Sequence, residues 1–413
     1  MLKRILLAIM LLSAGVAVAQ QGTVSPYSFF GIGSLKFKGT VENRAMGGIG
    51  VYSDSIHLNI QNPAAIANLG LVNYALAGSH KFDRFKTAED SQKATTTSLD
   101  YLAIGLPMGK FGASFGLLPF TASGYRLQNE DANTITQYEG TGGLNKAFLQ
   151  VGYQVTPKFS VGVDINYDFG NIENVATATQ EGIQYGTRET NRSDLKGFSY
   201  NFGAIYKTML NEQLEFMSTA TYTPETNFTS ENERILETTL LLPSGTVTPI
   251  DRRNIAVADS DFTFPSQLTV GAGIGKPKKW FVGAEYTSQK TSNFTNRTFE
   301  LENASFEDAS KFEFGGFYIP NYNALGSYWK RVVYRAGFRF EETGIVVNNE
   351  SISEFGISFG VGIPVGRLFS NLNLGFELGQ RGTTNAGLVQ ETFFNTFISL
   401  SLNDRWFEKR YYD

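Results

Sequence analysis

From about residue 71 onward, apolar and polar positions alternate along the chain. Between Phe159 and Phe169 the odd positions are Phe159, Val161, Val163, Ile165, Tyr167 and Phe169, and the even ones are Ser160, Gly162, Asp164, Asn166 and Asp168. Successive side chains of a strand point to opposite faces, so this segment has one apolar and one polar face. The same period of two runs through Leu268–Ile274, Trp280–Tyr286, Val332–Phe340 and Leu372–Leu378. Each such segment is about ten residues long, which suits a tilted strand crossing a bilayer, whereas strands of soluble sandwiches run about 5–6 residues. Thirteen segments stand out: 71–82, 98–107, 110–121, 145–156, 158–170, 197–208, 213–223, 265–275, 279–290, 331–342, 353–363, 371–382 and 391–402.

The connections add a second rhythm. Tight turns are expected at Met108-Gly109-Lys110, Thr156-Pro157-Lys158, Leu210-Asn211-Glu212, Gly275-Lys276-Pro277-Lys278 and Val365-Gly366-Arg367. Long polar stretches lie near 83–97, 122–144, 171–196, 224–264 and 382–390, and are expected as outer loops. Short turns on one side and long loops on the other are the asymmetry of an outer-membrane barrel, whose strand number is even. A further strand is therefore expected at Lys311–Pro320, and the prediction is an all-β, transmembrane antiparallel β-barrel of about 14 strands. The acidic run Glu300 to Glu313 reads as a solvated loop, and Ile235–Leu242 as part of a hairpin extending the wall.

Residues 1–19 carry Lys3 and Arg4, an apolar run Ile5–Leu12 and Ala17-Val18-Ala19, the pattern of a secretory signal peptide. Residues 20–70 lack sustained alternation but are rich in Pro, paired Gly, Phe and Ile. A barrel of eight strands fills itself with side chains and one of sixteen encloses a channel, so in a barrel of intermediate size this stretch is expected to form a luminal hatch. Its candidate residues are Ser25, Pro26, Tyr27, Arg44, Met46, Gly47, Gly48, Asn62, Pro63 and Ala64, with Asn62 capping a short helix that Pro63 begins. The barrel is expected over 71–403 and a periplasmic tail over 404–413.

Composition narrows the chemistry. The chain of 413 residues has no Cys and two His, which excludes disulfides, thiolate nucleophiles and iron–sulfur clusters and leaves little for a metal centre. No metal and no cofactor is expected. Two G-x-S-x-G matches, Gly112–Gly116 and Gly356–Gly360, sit inside alternating segments and not on the strand-to-helix elbow that a serine hydrolase requires; no enzymatic role is expected. A net charge of −4 offers no basic field for nucleic acid. With 34 Phe and 19 Tyr the mean hydropathy is nevertheless −0.16, because each apolar position is followed by a polar one. On the polar face Asp164, Asp168, Glu215, Glu285, Arg335, Arg339 and Glu377 are luminal charge candidates. They could ring a selective constriction, or pair with one another and with the hatch to satisfy buried charge; the second arrangement is expected.

The run Arg44-Ala45-Met46-Gly47-Gly48 followed by Asn62-Pro63-Ala64 resembles the N-terminal hatch of FadL-like barrels. Tyr334–Phe338, Phe359–Pro364, Leu378–Gly382 and Arg405-Trp406-Phe407 are similar to a block found in barrels of bacteria that use type IX secretion. The resemblance implies fourteen strands in the outer membrane, in contact with its lipid, and a passive, gated route for hydrophobic or small molecules. It also implies lateral exit at a kinked strand, for which Pro119 is the candidate, the alternative being that Pro119 is an ordinary extracellular strand end. Relatives serve the type IX translocon as accessory or plug subunits, so binding to that larger barrel is the alternative implied role.

Overall fold

The computed structural model describes residues 22–131, 133–241, 247–294, 303–324, 326–366 and 370–406. The expected signal peptide and residues 407–413 of the expected tail lie outside these.

Fourteen antiparallel strands form a closed wall. They are β1 (Val72–Lys86), β2 (Ser91–Met108), β3 (Phe111–Pro119), β4 (Thr134–Thr156), β5 (Phe159–Gln180), β6 (Tyr185–Met209) and β7 (Glu215–Thr223). The second half consists of β8 (Gln267–Lys276), β9 (Trp280–Gln289), β10 (Ala309–Tyr318), β11 (Val333–Val347), β12 (Glu350–Pro364), β13 (Asn371–Arg381) and β14 (Gln390–Asp404). Each pairs with its sequence neighbour, and β14 returns to β1 through Val72↔Asp404 to Lys86↔Gln390. Closure of the ring pairs every wall strand with a neighbour on each side over at least part of its length, which limits the backbone edge left to lipid. The strand expected at Lys311–Pro320 is β10, and both ends of the ring, Val72 and Asp404, lie on the rim of the tight turns.

Alternation sets which residues face where. On β5, Phe159, Ile165 and Tyr167 point outward while Ser160, Asp164, Asn166 and Asp168 are buried in the lumen. Phe198, Phe202, Phe312, Phe314 and Phe359 are similarly exposed on the outer face. A surface patterned with large apolar side chains has lipid as its natural solvent.

Three expectations need correction. The stretches 83–97, 122–144, 171–196 and 224–264 are mostly strand; β6 alone is 25 residues long. Beyond the bilayer both strand faces meet water, so the alternation fades while the backbone ladder continues. Ile235 to Leu241 belongs to Thr226–Leu241, which pairs with β6 and with Val247–Ile255 as an extension of the wall. Glu313 is not in a solvated loop; it lies on β10, buried and facing inward. Finally, β14 runs to Asp404, so the expected barrel boundary moves one residue onward.

Residues 22–70 occupy the interior. Pro26–Phe29 and Pro63–Asn68 are 3-10 turns, and Val41–Arg44 is a single helical turn held by a reciprocal Thr40–Asn43 capping box. Asn62 Oδ1 accepts the Ala64 N–H at 3.0 Å, the cap expected for the turn that Pro63 begins. Two luminal glycines show how tightly the segment fits. A Cβ on Gly337 of β11 would overlap the Gly47 nitrogen, and one on Gly162 of β5, on the far side of the ring, would overlap the Pro63 carbonyl carbon. Glycine is needed there for close backbone approach.

Candidate functional site: the filled lumen and the split wall

The interior segment is tied to the wall by charge. Lys38 Nζ lies 2.7 Å from Asp164 Oδ2 on β5. Arg44 Nη2 lies 3.2 Å from Glu377 Oε2 on β13, and the other carboxylate oxygen of Glu377 accepts from Arg339 Nε at 2.6 Å. Arg339 also reaches Glu354, which binds Arg381 in turn. Gly50 N–H donates to Glu285 at 3.0 Å, and Gly47 N–H to Ser358 Oγ at 2.9 Å. Ser358 and Ser114, the serines of the two G-x-S-x-G matches, are thus accounted for within the fold, since Ser114 Oγ donates to Gln150 at 2.8 Å.

The other candidates are placed as follows. Ser25 Oγ donates to Glu391 at 2.6 Å, and Tyr27 Oη, within the turn begun by Pro26, to the Val389 carbonyl at 2.6 Å. Met46 is buried with Ile49, Val51, Met217 and Phe281. Gly48 faces the Glu313 carboxylate, Asn62 Nδ2 donates to the Ala204 carbonyl at 3.2 Å, and Ala64 packs on Ile205. Asp168 pairs with Lys146 at 3.3 Å, and Arg335 donates to Asn373 Oδ1 at 3.1 Å. Glu215 is paired with Lys207 at 3.2 Å near the rim of the tight turns. Lys38, Lys81, Glu354, Arg381 and Glu391 were not singled out by sequence, although the last four follow the inward parity of their strands.

The wall itself is split beside β3. Pairing of β2 with β3 ends at Leu102↔Leu117. β3 stops at Pro119, and the chain resumes at Thr121–Asp131, paired with β4 but, among the described residues, not with β2. Thr121, Ala122, Ser123, Gly124 and Tyr125 are all buried. Five consecutive buried positions break the alternation, so the chain bends into the lumen here. Proline cannot donate to a ladder and is suited to such a break. The interior segment takes the vacated pairing position: Ser34↔Ala122 and Leu35↔Thr121 form a short antiparallel ladder, and Lys36 N–H donates to the Phe120 carbonyl at 2.9 Å. Leu35 remains 47% exposed at the split.

Behind the split lies a cavity of about 400 Å³. Leu118, Phe120, Phe264 and Phe294 line one part, while Lys81, Arg339, Glu354 and Glu377 line another. Lys36 also faces it; burial pulls its ammonium down to about 8, with Asp100 opposing the shift. The cavity thus has an apolar side and a charge-paired side.

Near the tight-turn rim, Asp54 closes a small turn on itself, accepting the Ile56 and His57 N–H groups at 3.0 and 2.8 Å while Oδ2 meets His57 Nδ1 at 2.7 Å. Burial opposes ionisation of Asp54, yet the charge and hydrogen bond of His57 bring it from 3.8 down to about 2. Burial likewise opposes the imidazolium, and Asp54 raises it above 6.5. The lowered carboxyl contributes stability above pH 3.8 that is lost as pH falls toward 2, and the raised imidazole contributes stability below pH 6.5 that is lost as pH climbs past its folded value. Protease protection of residues 22–70 should therefore be greatest between these limits. At the acid end the loss is about 2 kcal/mol, and His57→Gln should flatten the profile; an unchanged profile would refute the ion pair.

Known proteins of this fold match the whole ring. The toluene transporter TbuX of Ralstonia pickettii has a TM-score of 0.60 at 15% identity, over 89% of this chain and 99% of that one. The toluene transporter TodX of Pseudomonas putida gives 0.58 at 14%, over 90% and 99%. A FadL homologue of Pseudomonas aeruginosa gives 0.57 at 12%, over 90% and 98%. At such identities the likeness concerns the fold, a FadL-like outer-membrane barrel. No curated protein sequence matches. The sequence family described as BamG matches residues 1–413, and the chain belongs to the BamG family.

Proposed function

We propose that the protein is a gated passive channel for small hydrophobic solutes in the outer membrane, with residues 22–70 as its hatch and the split beside Pro119 as its lateral exit. The observation that carries this reading is the broken β2–β3 ladder with a cavity directly behind it. An apolar solute can pass from the cavity past Phe120 and Leu35 into lipid without crossing the packed remainder of the lumen. The hydrocarbon transporters named above share the fold, which supports the reading by analogy.

The absence of cysteine permits a clean test. Ser34 and Ala122 are direct partners across an antiparallel ladder, a spacing of about 4.5–5.5 Å that a disulfide can bridge. In cells producing the Ser34→Cys/Ala122→Cys variant, uptake of radiolabelled toluene should fall under oxidising conditions to the level of cells lacking the protein, and return on reduction. Uptake equal in cells with and without the unmodified protein would end the channel reading.

A further inference from the structure

The rim that carries the tight turns holds a cationic patch that none of the luminal arguments uses. It is built from two neighbouring connections: the β8–β9 turn, with Lys276, Lys278 and Lys279, and the β10–β11 connection, with Lys330 and Arg331. The two are adjacent, since Ile319 N–H donates to the Lys279 carbonyl at 2.7 Å. Neither connection contains an acid; from Phe262 to Ala284 and from Phe314 to Phe340 the sequence has no Asp or Glu. None of the five cations forms an ion pair among the described residues. Lys276 donates to Gln213 at 2.9 Å, and Lys278 and Arg331 lie over the Tyr322 and Tyr328 rings. On the adjoining β6–β7 turn Glu212 is exposed and forms no ion pair among the described residues, while Glu215, at the start of β7, is already paired with Lys207.

The aromatic residues fix the depth of this patch. All three tryptophans of the chain, Trp280, Trp329 and Trp406, lie on this rim, and Trp329 is 69% exposed. Tyr318 and Tyr334, exposed at the ends of β10 and β11, stand beside them. Indole and phenol rings settle at the headgroup level of a bilayer, so the five cations lie where headgroups are.

We infer that this patch is a binding site for anionic phospholipid headgroups of the periplasmic leaflet. The lysine and arginine side chains meet the phosphates, and the tryptophans seat the rim at the interface. A cation near an anionic lipid surface favours such lipids roughly fivefold, so the patch enriches them around this side of the barrel.

Because the tryptophans report on this rim alone, their fluorescence tests the inference. The full protein is reconstituted into bilayers of equal phosphatidylglycerol and phosphatidylcholine, with one or the other lipid brominated. Brominated phosphatidylglycerol should quench several-fold more effectively at low salt, and the preference should shrink in 1 M salt. The variant with Lys276, Lys278, Lys279, Lys330 and Arg331 all changed to Gln should quench equally with either lipid. Equal quenching by the two lipids in the unmodified protein would overturn the inference, as would a preference that survives both salt and the five substitutions. Stoichiometric recovery of an acidic protein on this rim, released by the same substitutions, would also overturn it by assigning the patch to a protein partner.

Discussion

Deleting residues 22–70 should convert a protein that passes almost no current in planar bilayers into one with stable open steps. The expected rise is at least ~10-fold, since fourteen strands enclose a lumen far wider than the side-chain-filled interior of an eight-stranded barrel. The segment touches opposite walls of that lumen: its backbone presses on Gly337 of β11 and on Gly162 of β5, while Lys38 and Arg44 pair with Asp164 and Glu377. Deletion leaves those carboxylates in water, which then fills the space, so their charge is solvated and the wall can persist. Fourteen strands joined by long backbone ladders do not depend on the segment for closure. A gentler variant separates opening from misfolding. Gly337→Val should displace Gly47 and raise conductance while the barrel keeps its resistance to unfolding by SDS at room temperature. If both variants fold and neither conducts, the segment is not what closes the pore.

The wall was legible in the sequence because membrane strands have a strict period: Phe312 and Phe314 on β10 announce it even inside a run that otherwise reads as acidic loop. There parity and composition conflict at Glu313, which closes the acidic run yet sits inside the alternating Lys311-Phe312-Glu313-Phe314, and parity prevails. The upper halves of β4, β5 and β6 were not legible, because strands with water on both faces need no apolar side. The interior segment was legible as something other than wall, and the Asn62-Pro63 start was readable from local capping chemistry. Its partners were not. Arg44 meets Glu377 and Ser25 meets Glu391, contacts between positions hundreds of residues apart that leave no periodic or local trace. The split was half readable: Pro119 marks where a ladder can fail, but the inward bend of 121–125 and the docking of Ser34–Leu35 follow from tertiary packing alone.

The charge network on the β11–β14 side carries the second large effect. Arg339 is the hub between Glu354 and Glu377, and both carboxylates are buried. Arg339→Met should destabilise the folded protein by about 3–5 kcal/mol, the usual consequence of leaving a buried charge without its partner. Urea unfolding in lipid vesicles should show this as a lower midpoint at unchanged slope. The partners that remain predict the rescue. Glu354 keeps Arg381 and Glu377 keeps Arg44, but Glu341, 3.7 Å from Arg339, loses its cation. The three carboxylates then face two cations, the excess is a single negative charge, and Arg339→Met/Glu354→Gln should recover most of the loss. The double variant then isolates function from stability: with Glu377 still free to hold Arg44, the interior segment should stay docked and the pore closed, whereas in Arg339→Met/Glu377→Gln stability returns but Arg44 loses its acceptor on β13. That second pair should conduct measurably more than the first. Equal conductance would mean that Arg44 does not help to hold the segment in place, and the closure would then rest on the glycine-lined backbone contacts at Gly337 and Gly162 and on the Lys38–Asp164 pair.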